Sequence, residues 1–584
     1  MSGPVPTVHS SAETSSAGPT LLHSRLVMVP QIGDASPVAN HDLLSSSEAD
    51  KHSQAPPPRR EEIDQPLLEA DGRAATEDEV RDLLHVVDRV PARLWVACLA
   101  GILERFVWYG ATSPLQNYVQ NPPGGQVPGA LGLRQAAASD IVNALIIGSY
   151  ITPVPAAVIA DSWLGRYKTM LYAAIIESIG ATILFATSFP AAVENGTALG
   201  GVITACVLLA VGSGAFKTTV VPFIADQYDG VDFQFRVQET GEKVVASRAL
   251  TITYIYNAFY WAVNVVGFFA DSTPLLEKYV GFWAAYLIPC CFMWLALIPI
   301  LLGRNYFVRT LPTSNIMSEV VAALRCGIAG GFRMDAAKPD AQLQQGRQVS
   351  WNDSFIEDIK RSLLTCRVLL LFPIHWLCYN QTFNNLISQA GQMVTYGIPN
   401  DMMKIAGAIC GILVAPIIQK GLYPFLTKNQ ISFSPIARMT AGFAILTLSM
   451  AYTALVQKLI YQAGPCYDTP LACPDAHGRA VPNQVSVFLQ IPSYAGGALA
   501  EVFCLTTGTE YAYSHAPGRM KTLVQAVWLA MAGVGSGLAI AFTPLARDPH
   551  LVTMYAVLSG LLGVASVLLW VVFRRVDEVE EESE

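Results

Sequence analysis

The chain has 584 residues, with 37 Lys and Arg against 45 Asp and Glu, and is 52% hydrophobic but only 14% charged, where soluble globular proteins carry roughly a quarter charged residues. The acids gather in residues 1–88 and 574–584, leaving a long, weakly basic, apolar body between them. A soluble enzyme, a secreted disulfide scaffold and a disordered adaptor are excluded, and a polytopic membrane protein with two acidic tails remains.

Residues 1–75 are rich in Ser, Pro, Ala and acids without apolar periodicity, which predicts disorder. Met1 is followed by no short apolar run of the secretory type, so the first hydrophobic helix is expected to direct insertion. Thr76 with Glu79 three residues on predicts a capping box and a short amphipathic helix ending near Arg89 and Pro91. Twelve apolar windows follow, each about the 20 residues that cross a bilayer as a helix. They lie at 93–119, 140–160, 169–189, 199–224, 248–271, 280–303, 368–391, 403–420, 435–459, 487–512, 520–544 and 551–573, and are called helices 1 to 12. Backbone groups in lipid must be satisfied within the segment, so the windows predict an all-α polytopic chain.

The spacing is six helices (89–303), a loop of 304–367, six more helices (368–573) and an acidic tail (574–584). The loop alone carries nine bases, whereas the connections on the other side carry Arg134, Lys278, Arg479 and Arg547. The positive-inside rule therefore predicts that both tails and the loop are cytoplasmic. Two facing six-helix halves are the layout of secondary transporters. Asn195-Gly196-Thr197 then falls outside as a glycosylation sequon.

Most cysteines sit in apolar runs without metal-ligand spacing and read as small buried residues. Cys466 and Cys473 lie in a polar stretch on the outer side, where a disulfide is an open alternative to free thiols. No phosphate-cradling loop, nucleophile elbow or metal cluster is present in the sequence, so no enzyme activity, cofactor, metal or nucleic-acid partner is expected.

An ionisable group deep in a span costs at least about 2.5 to 3.5 kcal/mol, so each one needs a partner, water or a task. Helix 1 places Gly101, Arg105, Trp108 and Thr112 on one face with Glu104 and Tyr109 beside it; helix 4 adds Lys217 and helix 10 adds Glu501. If the halves face each other, Arg105 and Lys217 form a positive wall and Glu501 a negative one, a field that fits a zwitterion. The bland alternative is a bracing Glu104–Arg105 pair, a snorkelling Lys217 and a hydrogen-bonded Glu501. Glu177, Glu510 and His375 read as structural or packed residues rather than proton carriers.

Several motifs carry a resemblance. Helix 1 reads Glu104-Arg105-Phe106-Val107-Trp108-Tyr109-Gly110, and Ala160-Asp161-Ser162-Trp163-Leu164-Gly165-Arg166 follows helix 2. Helix 4 reads Gly212-Ser213-Gly214-Ala215-Phe216-Lys217 and then Pro222-Phe223-Ile224-Ala225-Asp226-Gln227. Helix 5 holds Phe259-Tyr260 and Asn264, helix 7 Asn380-Gln381, and helix 10 Glu501-Val502-Phe503. In this order they resemble the proton-coupled oligopeptide transporter family of the major facilitator superfamily, in its fungal branch, over residues 76 to 573.

The resemblance implies a major facilitator fold of twelve helices in two six-helix bundles and a plasma-membrane carrier of di- and tripeptides or peptide-like zwitterions, driven by proton symport. It implies that Arg105 and Lys217 meet the peptide carboxylate and Glu501 its amino group. Tyr109, Asn264, Asn380 and Trp528 are implied to line the cavity. Glu104, Arg105, Lys217 and Glu501 are implied to form the ion pairs tied to proton coupling, and Asp161, Gly165 and Arg166 to brace the cytoplasmic helix ends. One departure is plain: the first Glu of the helix 1 motif falls on Gly101, which cannot titrate, while Trp108 replaces a Tyr and Thr112 stands where many bacterial relatives have Arg. Rival readings are a carrier of a peptide-derived metabolite or small anion without proton coupling, and a non-transporting peptide sensor.

Overall fold

The computed structural model describes residues 72–581 apart from 126, 229, 238–241, 310–315, 431–432, 474–480 and 518–519. The disorder expected before residue 72 lies outside the described residues. Each of the twelve windows holds a helix. Among the described residues, ten helices are long and apolar enough to span by themselves. An eleventh span is the bent pair Asp353–Leu369 and Phe372–Gly391, which meet at 43°. Pro373 at the start of the second piece cannot donate back into the first. Helix 5, Arg248–Ala270, is long enough to span, but its tyrosines and asparagines make it less apolar.

Helix 3 (Arg166–Thr187) shows how composition becomes packing. Ala173, Ala174, Glu177, Gly180, Ala181 and Leu184 are buried at helical spacing, whereas Tyr172, Ile175 and Ile179 are exposed on the other face. Both faces are apolar because the outer one meets hydrocarbon rather than water. Helix 4 (Ala198–Asp226) packs along it through glycines, where a Cβ added at Gly212 would come within 2.7 Å of the Glu177 Cβ.

The buried apolar side chains form two large clusters, one drawn from Leu94 to Phe307 and the other from Cys366 to Leu569. A third, small cluster joins Val320, Ala323, Phe355, Ile356 and Ile359 of the connecting segment to Met520. The halves also echo each other in detail: a single π-helical turn ends helix 2 at Ala160–Leu164, and another follows helix 8 at Ile418–Leu422.

Two features depart from the sequence reading. The capping box forms, with Thr76 N donating to Glu79 at 2.9 Å and the Thr76 hydroxyl accepting from Glu79 N. The helix it opens, however, covers only Glu77–Asp82 and does not reach Arg89. The chain instead enters β1 (Leu84–Val86), which pairs in parallel with β3 (Lys243–Ser247), itself antiparallel to β2 (Phe233–Val237). This sheet ties the segment before helix 1 to the connection between helices 4 and 5. Asp88 locks it, accepting from the Tyr228 hydroxyl at 2.8 Å and from Arg236 Nε at 3.1 Å, while its backbone N–H donates to Thr251.

Cys466 and Cys473, left open by the sequence, are joined as a disulfide with Cα atoms 5.5 Å apart.

Candidate functional site

Glu104 and Arg105 sit side by side in helix 1, Glu104 fully buried and Arg105 partly so. Arg105 Nε donates to Glu104 Oε2 at 2.6 Å and Nη2 bonds Oε1. Ser213 of helix 4 completes the triangle, donating to Glu104 Oε1 at 2.9 Å and accepting from Arg105 Nη2 at 3.0 Å. The pair foreseen in the sequence thus has a third member on helix 4, made possible by the small Gly212-Ser213-Gly214 run.

Lys217, one turn beyond Ser213, lies over aromatic faces. Its Nζ is 4.3 Å from the Tyr150 ring centroid and 5.7 Å from that of Trp108. Trp108, a departure from the motif, therefore supplies the ring type that binds a cation best. Tyr109 packs on helix 5 at Gly267, where an added Cβ would lie 3.3 Å from its ring. Thr112 is turned back on its own helix, donating to Trp108 O at 2.8 Å.

Across the molecule, Glu501 of helix 10 (Ile491–Ser514) accepts from the Tyr379 hydroxyl at 2.6 Å. A small recess beside it is lined by Phe372, Trp376, Tyr379 and Trp528, with Trp528 edge-on to Phe372 at 4.7 Å. Gly508 makes room for that indole, since a Cβ there would come within 2.5 Å of it. Tyr109, Tyr150 and Tyr260 of the first half lie within Coulombic reach of Glu501, and Tyr109 and Tyr150 are within reach of Arg105 too. Tyr109 and Tyr150 thus interact with charges of both halves.

Other expected residues are placed differently. Asn380 is buried, and its amide donates to Ser536 of helix 11 at 2.6 Å, inside its own half. Asn264 is exposed and donates to Tyr260 O, one turn back, at 2.9 Å, although it shares a helix face with Gly267, where Tyr109 packs. At the helix 2–3 turn, Gly165 adopts φ 77°, a conformation that glycine permits at least cost. Arg166 Nη1 donates to both carboxylate oxygens of Asp226 at 2.7 and 2.8 Å, but is 4.0 Å from Asp161. The tight brace therefore runs to helix 4, with Asp161 at its edge.

At the opposite end, a polar seam joins the halves. Asn117 and Asn400 exchange two hydrogen bonds of 2.9 Å, Gln135 and Ser139 donate to Asn385 at 2.9 and 3.0 Å, and Gln116 donates to Ser388 at 3.1 Å. Asp271 and Lys404 form an ion pair of 2.8 Å across it. The halves are thus closed together at the end that carries the 1–2, 5–6 and 7–8 connections. Apart from Ser388, which belongs to the helix 7 motif, these seam residues were not singled out in the sequence, where Asn, Gln and Ser at window ends look like ordinary interface residues. Ser213 was read only as a small packing residue, and Tyr150 and Tyr379 were not singled out.

Comparison with known proteins agrees with this architecture. The model of the POT family matches residues 167–558. A probable peptide transporter of Schizosaccharomyces pombe is 36% identical over 87% of this chain and 82% of its own length. Peptide transporter PTR_A of Candidozyma auris is 34% identical over 88% of this chain and 87% of its own. The crystal structure of the POT family transporter PepTSo superposes with a TM-score of 0.66 at 22% identity, covering 84% of this chain and 99% of that one, which bears on the fold. With that fold, the motifs in place on their helices and relatives matched along most of their length, this chain is an integral, multi-pass membrane protein that belongs to the POT family.

Proposed function

We propose that the protein is a secondary active transporter, not an enzyme, that moves di- and tripeptides or peptide-like zwitterions across the plasma membrane by alternating access, as proton symport. The observation that carries this reading is the placement of fixed charges of opposite sign on the two halves, Arg105 and Lys217 on the first and Glu501 on the second. Glu104 and Ser213 engage Nε and Nη2 of Arg105, which leaves Nη1 to a ligand carboxylate, with Lys217 beside it. Tyr379 engages one oxygen of Glu501, which leaves the other to an ammonium group. Charge-assisted hydrogen bonds at both ends select a zwitterion over a simple anion or cation.

Tyr109, Asn264 and Trp528 line the path between these poles, and Asn380 holds helix 7 to helix 11 behind it. The two bundles, 89–303 and 368–573, rock about the bound peptide, and Asp161, Gly165 and Arg166 stiffen the cytoplasmic end of the first. Both tails lie in the cytoplasm, as the distribution of Lys and Arg favours. In that orientation the seam closes the outer end.

The test is uptake of a labelled dipeptide by proteoliposomes, with and without an inward proton gradient. Saturable uptake that the gradient accelerates is expected, and a protein that moves no peptide under either condition overturns the reading. A second reading, transport of a peptide-derived zwitterion without proton coupling, is favoured by Gly101. It calls for substrate exchange that ignores the gradient.

A further inference from the structure

Glu177 stands in the middle of helix 3 with no solvent exposure, and neither of its carboxylate oxygens has a hydrogen-bond partner among the described residues. The other acids near the cavity are engaged: Glu104 by Arg105 and Ser213, and Glu501 by Tyr379. An ionised carboxylate without hydrogen bonds in such surroundings is expensive, and either a proton or a nearby ammonium relieves the cost. Both remedies are at hand.

Helix 4 crosses Glu177 at Gly212, where a Cβ would lie 2.7 Å from that of Glu177 and 2.8 Å from its backbone nitrogen. The next residue, Ser213, holds Glu104, and Lys217 follows one turn later. The charges that act on Glu177 are Glu104 and Arg105 from helix 1 and Lys217 from helix 4. Helix 6 packs on the other side of helix 3 and contains no Asp, Glu, Lys or Arg between Phe282 and Leu302, its titratable groups there being Tyr286, Cys290 and Cys291. Helix 2 contributes Tyr150, whose ring holds Lys217.

Position 101, by contrast, is crowded, and a carboxyl-bearing side chain there would have to displace its neighbours. A Cβ on Gly101 would come within 2.8 Å of the Phe259 ring and 2.9 Å of Val220. Side chains of helices 4 and 5 thus crowd the position of the acid missing from helix 1, while Glu177, whose carboxylate has no hydrogen-bond partner among the described residues, stands on helix 3.

We propose that Glu177 carries the transported proton. In the state open to one side, its carboxylate accepts a proton from a hydronium ion of the cavity, whose O–H bond breaks to leave water as the carboxyl O–H bond forms; in the state open to the other side, the carboxyl O–H bond breaks and the proton passes to water there, forming hydronium. While the proton is bound, Lys217 is released to the substrate carboxylate; once it has left, Lys217 balances the anion. This assignment rests on the transporter reading above.

The experiment compares the unaltered protein with Glu177→Gln and Glu177→Asp in proteoliposomes, measuring gradient-driven uptake, peptide counterflow without a gradient, and proton entry with an internal pH dye. Glu177→Gln is expected to lose both acceleration by the gradient and peptide-linked proton entry while counterflow persists, and Glu177→Asp to restore part of the acceleration. If the unaltered protein shows counterflow but no gradient response, or if Glu177→Gln responds as fully as the unaltered protein, the assignment is overturned. Absence of counterflow in the unaltered protein overturns the transporter reading itself. A measurement without substitution guards against misfolding: dicyclohexylcarbodiimide, which modifies protonated carboxyls in apolar surroundings, should label Glu177 with a yield that falls as pH rises. Absence of that label at every pH overturns the assignment.

Discussion

Tyr379 and Glu501 show what a single side chain decides here. The 2.6 Å bond from the hydroxyl orients one carboxylate oxygen and leaves the other facing the recess. Replacing Glu501 by Gln removes the charge and keeps the shape. Loss of one partner of a desolvated charge pair costs 2 to 5 kcal/mol, so the affinity for a free-amine dipeptide should fall by about thirtyfold or more. An N-acetylated dipeptide, which has no ammonium to lose, should change little, and competition against a labelled substrate separates the two. Equal losses for both peptides would show that Glu501 serves the fold instead. Arg105, Lys217 and Glu501 were legible in the sequence because a charge inside an apolar window is rare and costly. Tyr150 and Tyr379 were not, since tyrosine is at home both in a packed interior and at a membrane surface. Glu177 was visible but was read as structural, because its lack of partners is a property of the packing around it.

At the scale of elements, helices that must cross lipid declare themselves by length and composition, and the twelve windows coincide with helices for that reason. The small sheet does not declare itself. Leu84–Val86 is three residues long and pairs with Lys243–Ser247, so a local reading extends the preceding helix instead. What ends that helix is Leu83, extended at φ −97° and ψ 153°. Asp88 is the point at which the sheet can be tested. Its carboxylate accepts from Tyr228 and Arg236, and burial together with that carboxylate pushes the Tyr228 hydroxyl up to about 12. Asp88→Ala removes the acceptor that Tyr228 and Arg236 share, at a cost of about 1 to 3 kcal/mol. The expected result is a lower melting temperature in detergent, with faster proteolysis between Gly72 and Pro91. Asp88→Asn, which can still accept one bond, should fall between the variant and the unaltered protein.

For the whole molecule, the question is what holds the halves closed at one end, and the answer was hidden from the sequence because Asn117 and its partner Asn400 belong to different bundles. Within that seam, Glu277 and Asp401 are both buried and face each other, and Asn117 donates to Glu277 at 2.9 Å. Lys404 pairs with Asp271 nearby, and Lys278 donates to Gly397 O at 2.9 Å. Burial first, and the Asp401 carboxyl second, hold Glu277 well above the usual carboxylate range. Opening the seam returns Glu277 to water and to an ordinary value, so the closed state binds the proton more tightly. Linkage then makes closure most favourable at low pH and progressively lost as pH rises through the raised value. Spin labels on the 1–2 and 7–8 connections should report a short distance in acid and a growing long-distance population in base. Glu277→Gln, neutral at that position at every pH, should keep the short distance to higher pH than the unaltered protein does. A long-distance population that grows in acid, or a pH response in Glu277→Gln identical to that of the unaltered protein, would place the sensor elsewhere. The outcome matters for transport, because a seam that closes on protonation couples acidity on its own side to the state closed on that side before any peptide is bound.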